Sequence, residues 1–114
     1  MIRVGELTKR VQVQTKVAVT GARGEQVQQW QVLFPAWARV QPLSAGQKIA
    51  AAAEHPTASH KVVIRYRSSL ADIHVLSNMR LMLGKRVLSV LGGIDIDEKR
   101  QWYEFTVEEG LNNG

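Results

Sequence analysis

Residues 7–19, LTKRVQVQTKVAV, alternate strictly: Val11, Val13, Thr15, Val17 and Val19 share one parity, and Arg10, Gln12, Gln14 and Lys16 share the other. A period of two with one apolar side predicts a β-strand buried on one face. Residues 20–25, TGARGE, follow with two glycines and read as a hairpin loop. The next run, QVQQWQVLF, puts Trp30, Val32 and Phe34 on one face and Gln29, Gln31 and Leu33 on the other. Pro35 lacks an amide hydrogen and interrupts the run, so Ala36 to Val40 reads as a separate extended piece at a bend, edge or bulge.

Farther along, residues 44–54, SAGQKIAAAAE, abandon the two-residue period for four consecutive alanines and predict a helix. Ser44 and Gln47 have the spacing of a capping box, and the residue before Pro56 ends the helix. A helix of about ten residues is marginal alone, so it is expected to dock on the sheet, where it would cover a barrel end, or on another subunit. In residues 59–67, SHKVVIRYR, His60, Val62, Ile64 and Tyr66 face inward while Lys61, Val63, Arg65 and Arg67 form a basic face. Short strands are expected over Met79–Leu83 and Arg86–Leu91, joined by a tight Gly84-Lys85 turn and followed by a bend or bulge at Gly92-Gly93. After a polar turn over residues 95–100, Tyr103, Phe105 and Val107 point inward in the last strand, and Glu104, Thr106 and Glu108 outward. The LNNG tail is expected to fray. The fold class is mainly β: a small antiparallel barrel or sandwich of six to seven strands with one short α-helix, in a single domain over residues 1–114.

A chain of 114 residues can bury about two-thirds of its surface without cross-links, and with no cysteine it has no disulfide framework, thiol nucleophile or thiolate metal site. No apolar run is long enough to span a bilayer and MIRVGELTKRV has no signal-peptide core, so the expectation is a soluble protein made in a cytoplasm, with no membrane partner. His55, His60 and His74 lack carboxylates at ligand spacing, and no HExxH-like signature exists. Asp95, Asp97 and Glu98 crowd a turn beside Lys99 and Arg100, as in a solvated hairpin. No nucleophile, base and stabiliser can be assembled, so the reading is no enzyme, no metal and no cofactor.

Charge is the more informative signal. Residues 1–92 hold 13 basic and 4 acidic side chains, whereas residues 93–114 hold 2 and 6. Lys61, Arg65 and Arg67 share a strand face able to meet DNA phosphates or an acidic protein surface. Glu104, Glu108 and Glu109 lie on the last strand. Trp30 and Trp102 are expected to pack at the core or a barrel end; Trp37, after the proline bend, is the tryptophan that best fits an interface.

In order along the chain, GELTKRVQVQ, the Gly24 turn before Trp30, PAWARVQPLSAGQ, SHKVVIRYR, MRLMLGKRVLSV and DIDEKRQWYEFTVEE resemble the head-tail joining proteins of long-tailed bacteriophages, also called head-tail adaptor, head closure or stopper proteins. The residues between Asp72 and Asn78 depart from that pattern, with the extra apolar Ile73, Val75 and Leu76. The resemblance implies a virion protein of the neck, encoded by a phage or prophage and assembled in the bacterial cytoplasm. It implies a homo-oligomeric ring that joins the portal and its adaptor ring after packaging, closes the channel around double-stranded DNA, and meets tail-terminator proteins. It also implies a free protein able to stay monomeric until a template ring is present.

With a ring in view, the basic Lys61, Arg65 and Arg67 of one subunit can meet the acidic Glu104 and Glu108 of the next, for example Arg65 with Glu108. Two alternatives stand beside this reading: a tail-completion protein, and a small-barrel binder of single-stranded nucleic acid. The binder needs exposed aromatic platforms. Tyr66 sits on the apolar parity, so the sequence offers it none.

Overall fold

The computed structural model describes residues 2–72 and 78–110, the side chains of Ala71 and Asp72 excepted. Six strands run as β1 (Lys9–Thr20), β2 (Gln26–Pro42), β3 (His60–Arg65), β4 (Met79–Leu83), β5 (Arg86–Asp95) and β6 (Trp102–Gly110), with one helix, α1 (Ala45–Ala51), between β2 and β3. They form a closed antiparallel barrel in the order β1-β2-β3-β6-β5-β4, with β4 returning to β1 over Gln12–Thr15. Closure leaves no edge on the barrel wall itself. Inside lie Val11, Val13, Phe34, Val62, Ile64, Leu81, Leu88, Phe105 and Val107, the inward parities that alternation predicts for β1, β3 and β6.

Several expectations give way to tertiary pairing. Pro35 does not divide a strand: β2 is continuous over Gln26–Pro42, with Pro35 opposite Gln12 of β1. Trp30, Val32 and Phe34 do not share a face. The β1–β2 register shifts so that Val13 meets Phe34 but Gln14 meets Val32, which leaves Leu33 as an extra residue. One inserted residue reverses parity. Phe34 therefore enters the core at 6% exposure while Val32 is 52% exposed. Val63, expected on the basic face, is buried. Its register neighbours Arg39 and Glu104 are ion-paired to Glu6 and Lys61.

The helix carries the expected capping box: the Gln47 amide donates to Ser44 Oγ at 3.2 Å and the Ser44 amide to Gln47 Oε1 at 2.9 Å. It is shorter than residues 44–54, and it does not dock into the sheet: no α1 residue is buried, and Ile49 is 78% exposed. The core is entered instead by Leu70, from the 3-10 turn Ser68–Asp72. Beyond Thr15, β1 pairs only with β2, so residues 16–20 and 26–30 project roughly 17 Å from the barrel as a two-stranded ribbon. The extents of 51 × 28 × 25 Å reflect that arm.

The C-terminal hairpin behaves as its glycines predict. The β5–β6 register shifts between Val90 and Gly92. A Cβ on Gly93 would fall 2.6 Å from the Tyr103 ring, whose hydroxyl lies equally close, so only hydrogen fits there. Gly84, with φ of +61°, makes the β4–β5 turn. Near the other end of the pair, Arg86 clamps Glu109 through two bonds, Nε to Oε2 at 2.7 Å and Nη2 to Oε1 at 3.0 Å.

Gly93→Ala is expected to cost about 1–3 kcal/mol by overpacking the Tyr103 site. Gly46→Ala, in open space within the helix, should be neutral or stabilising. Thermal melts of the two variants check the contrast. The hydrogen bond from Arg86 holds the Glu109 carboxyl below its ordinary pKa. The stability it contributes is thus present above the unfolded carboxylate range and is lost as pH falls through the depressed folded value. Acid melts of Arg86→Ala should show a shallower loss than the parent.

Candidate functional site

The β2–β3 ladder ends at Ala38–Ile64. Its register, continued, would set Trp37 opposite Arg65 and Pro35 opposite Arg67, but Pro35 has no N–H with which to extend the ladder. Beyond Arg65 the chain keeps to the β6 side, the Tyr66 amide donating to Gln101 O at 3.0 Å in the β3–β6 register, while Arg67 Nη1 reaches back to Pro35 O at 3.4 Å. The two strands part, and an open cleft of about 810 Å³ lies between them.

Its walls are Val4, Leu7, Pro35, Ala36 and Tyr66, with Arg10, Trp37, Arg65 and Arg67 at its mouth and no carboxylate among its lining residues. Arg10 faces Trp37 across β1–β2 and stacks with its Cζ 5.1 Å from the ring centroid. Arg65 faces Trp102 across β3–β6 and stacks at 5.5 Å. The outer surface therefore carries an arginine–tryptophan–arginine–tryptophan row across four strands, with Arg67 stacked at 4.2 Å on the core ring of Phe34. Stacking holds each planar guanidinium by one face and leaves its N–H edges available to an anion. Among the described residues none of Arg10, Arg65 and Arg67 has a carboxylate within ion-pair distance.

Of the residues singled out from sequence, the structure brings Trp37, Arg65 and Arg67 into this one cleft. It places the others elsewhere. Lys61 Nζ lies 3.5 Å from Glu104 Oε1 of its own chain, tying β3 to β6, and Glu108 stands opposite Ser89 on β5. Trp30 is not in the core: it is half-buried at the root of the arm, with Lys16 Nζ at 5.5 Å and Arg80 Cζ at 4.2 Å from its ring. Trp102 is half-buried as well. Trp37 is 54% exposed, which supplies the aromatic platform that the sequence did not show. Arg10 and Tyr66 are site residues that parity alone missed, because neither contact exists without the register between strands.

Among the histidines, His60 Nδ1 contacts Ser59 Oγ at 2.8 Å and its Nε2 lies 3.8 Å from Glu109 Oε1. His55 packs beside Gly92. His74, the apolar Ile73, Val75 and Leu76, and the LNNG tail lie outside the described residues. In the β5–β6 turn, Asp95 Oδ1 accepts from the Arg100 amide at 3.0 Å.

The chain is thus a closed small barrel that carries a cationic, aromatic cleft between two of its strands. Over residues 2–110 the chain matches the phage head completion protein family, and it belongs to that family, one of structural virion proteins. A search of curated proteins finds no match. Among solved structures, the chain is similar to protein SF1141 from Shigella flexneri 2a, with 27% identity and a TM-score of 0.76 over 98% of this chain and 100% of that one. It also resembles, in fold, a chain from the virion of a native gene transfer agent particle, with 22% identity and a TM-score of 0.62 over the same shares.

Trp37→Ala should lower stability by no more than about 1 kcal/mol, since its ring is exposed and a surface cation–π contact is worth little. Phe34→Ala, in the barrel core, should cost about 3–5 kcal/mol. Urea unfolding of the two variants separates surface from core.

Proposed function

We propose that this protein is a connector component of the phage neck, which assembles as a ring below the portal and its adaptor after DNA packaging, closes the DNA exit channel and offers the tail its attachment surface. The observation that carries the reading is membership of the phage head completion family across the whole barrel. The projecting arm and the uncovered helix support it, since both leave surface that a neighbouring subunit can bury. In this reading the partners are the portal or adaptor ring, tail-terminator proteins and further copies of the chain, with double-stranded DNA passing along the channel. The protein is made in a bacterial host, from a phage or prophage genome, and works in the virion without catalysis.

Trp37, Arg65 and Arg67 are the contact residues we assign. Lys61 and Glu104 neutralise one another within the chain, so they are weaker candidates for a subunit contact than Glu108. Binding of single-stranded nucleic acid is the second reading, and the exposed Trp37 between arginines is what favours it. Purified protein mixed with DNA-filled heads that carry portal and adaptor should add a ring below the portal in electron micrographs. Heads that acquire no added density would contradict the connector reading.

A further inference from the structure

Among the described residues, the three arginines at the cleft have no counter-charge within ion-pair distance in their own chain. Glu6 is held by Arg39, Glu104 by Lys61 and Glu109 by Arg86. Glu25 accepts from the Arg23 amide, and Asp95 from that of Arg100, each within its own turn. The remaining partner surface is apolar as well as cationic: Val4, Leu7, Pro35 and Ala36 line the cleft behind Trp37.

We infer that the cleft between β2 and β3 docks an extended acidic polypeptide segment carrying a bulky apolar side chain, supplied by a different protein of the particle. The apolar side chain enters between Ala36 and Tyr66, beside Trp37, and flanking carboxylates meet the N–H edges of Arg10, Arg65 and Arg67. This inference rests on the connector reading for the source of the segment, though not for its chemistry. A second copy of this chain, whose Glu108 is open to it, is the competing occupant: concentration-dependent self-association of the free protein that Trp37→Ala abolishes would overturn the inference. Duplex DNA fits less well, since a phosphate backbone has no apolar group to fill the walls. Two properties make the cleft a prepared site rather than a charged patch. Its guanidiniums are stacked on Trp37, Trp102 and Phe34, so little side-chain freedom is lost when they bind. Arg67 is also held at the Pro35 carbonyl.

The test uses the whole chain, isotopically labelled, with the Trp37 indole N–H followed by NMR. Three probes are titrated: a synthetic acidic peptide with one central phenylalanine, the same peptide with alanine in its place, and oligothymidylate. The phenylalanine peptide should shift the Trp37 indole saturably and bind more tightly than the alanine peptide. Trp37→Ala should weaken binding about tenfold, the size of effect expected for an interface anchor, with peptide resonances as the readout. Arg65→Ala combined with Arg67→Ala should weaken it at least as much, while Lys61→Ala, outside the cleft, should bind as the parent does. Retention of the parent's amide spectrum shows that each variant is folded. A Trp37 resonance unmoved up to millimolar peptide, or peptide binding indifferent to the arginine and tryptophan changes, overturns the inference. Tighter binding of oligothymidylate at Trp37 overturns it in favour of single-stranded nucleic acid. No head or ring enters this experiment, so its failure leaves the connector reading intact, whereas failed addition to heads with peptide binding preserved counts against the connector reading alone.

Discussion

Strand β2 has to serve two neighbours of unequal length. It pairs with β1 from Gln26 to Ala38, but with β3 only from Ala38 to Pro42. The limit is chemical: Pro35 has no amide hydrogen, so a ladder to β3 cannot be prolonged through it, and the facing arginine satisfies the proline carbonyl with its side chain instead. The parting of the strands, the cleft and the exposed Trp37 all lie beside that missing donor. The Leu33 bulge acts in concert. By reversing parity it turns Phe34 into the core and leaves Val32 outside.

Charge is organised by the same pairing. The surplus of basic side chains before residue 93 and of acidic ones after it looks, in one dimension, like a molecule with two poles. In the barrel β6 lies between β3 and β5, and two of its carboxylates meet a basic side chain of each: Lys61 meets Glu104, and Arg86 meets Glu109. These exposed or half-exposed pairs contribute little stability each. Their effect is to remove Lys61, Arg86, Glu104 and Glu109 from the charge available to partners. What remains concentrated is the group of arginines on the Trp37 side.

The sequence disclosed what is local. Alternation placed Val11, Val13, Val62, Ile64, Phe105 and Val107 inside, the Ser44–Gln47 spacing announced its capping box, and Gly92-Gly93 marked a real shift of register. It misread what depends on a neighbour. A proline inside a strand looks like a break until the strand beside it is known, and the extra residue at Leu33 carries no mark of its own. The helix, expected to dock because of its length, lies uncovered on the barrel. The row Arg10, Trp37, Arg65, Trp102 joins four strands from distant parts of the chain, and no periodicity within any of them predicts that they meet. Family resemblance reached further than parity toward function because order and spacing over the whole chain carry information that single strands do not.

The most direct test of the account is a reconstruction of the neck of the intact particle by electron cryomicroscopy, at a resolution that shows side chains. The account predicts a ring of these barrels below the portal, with the Trp37 cleft filled by an extended segment of another protein whose carboxylates face Arg10, Arg65 and Arg67. A neck that lacks this chain, or a ring in which Trp37 and its arginines face open solvent, would contradict it.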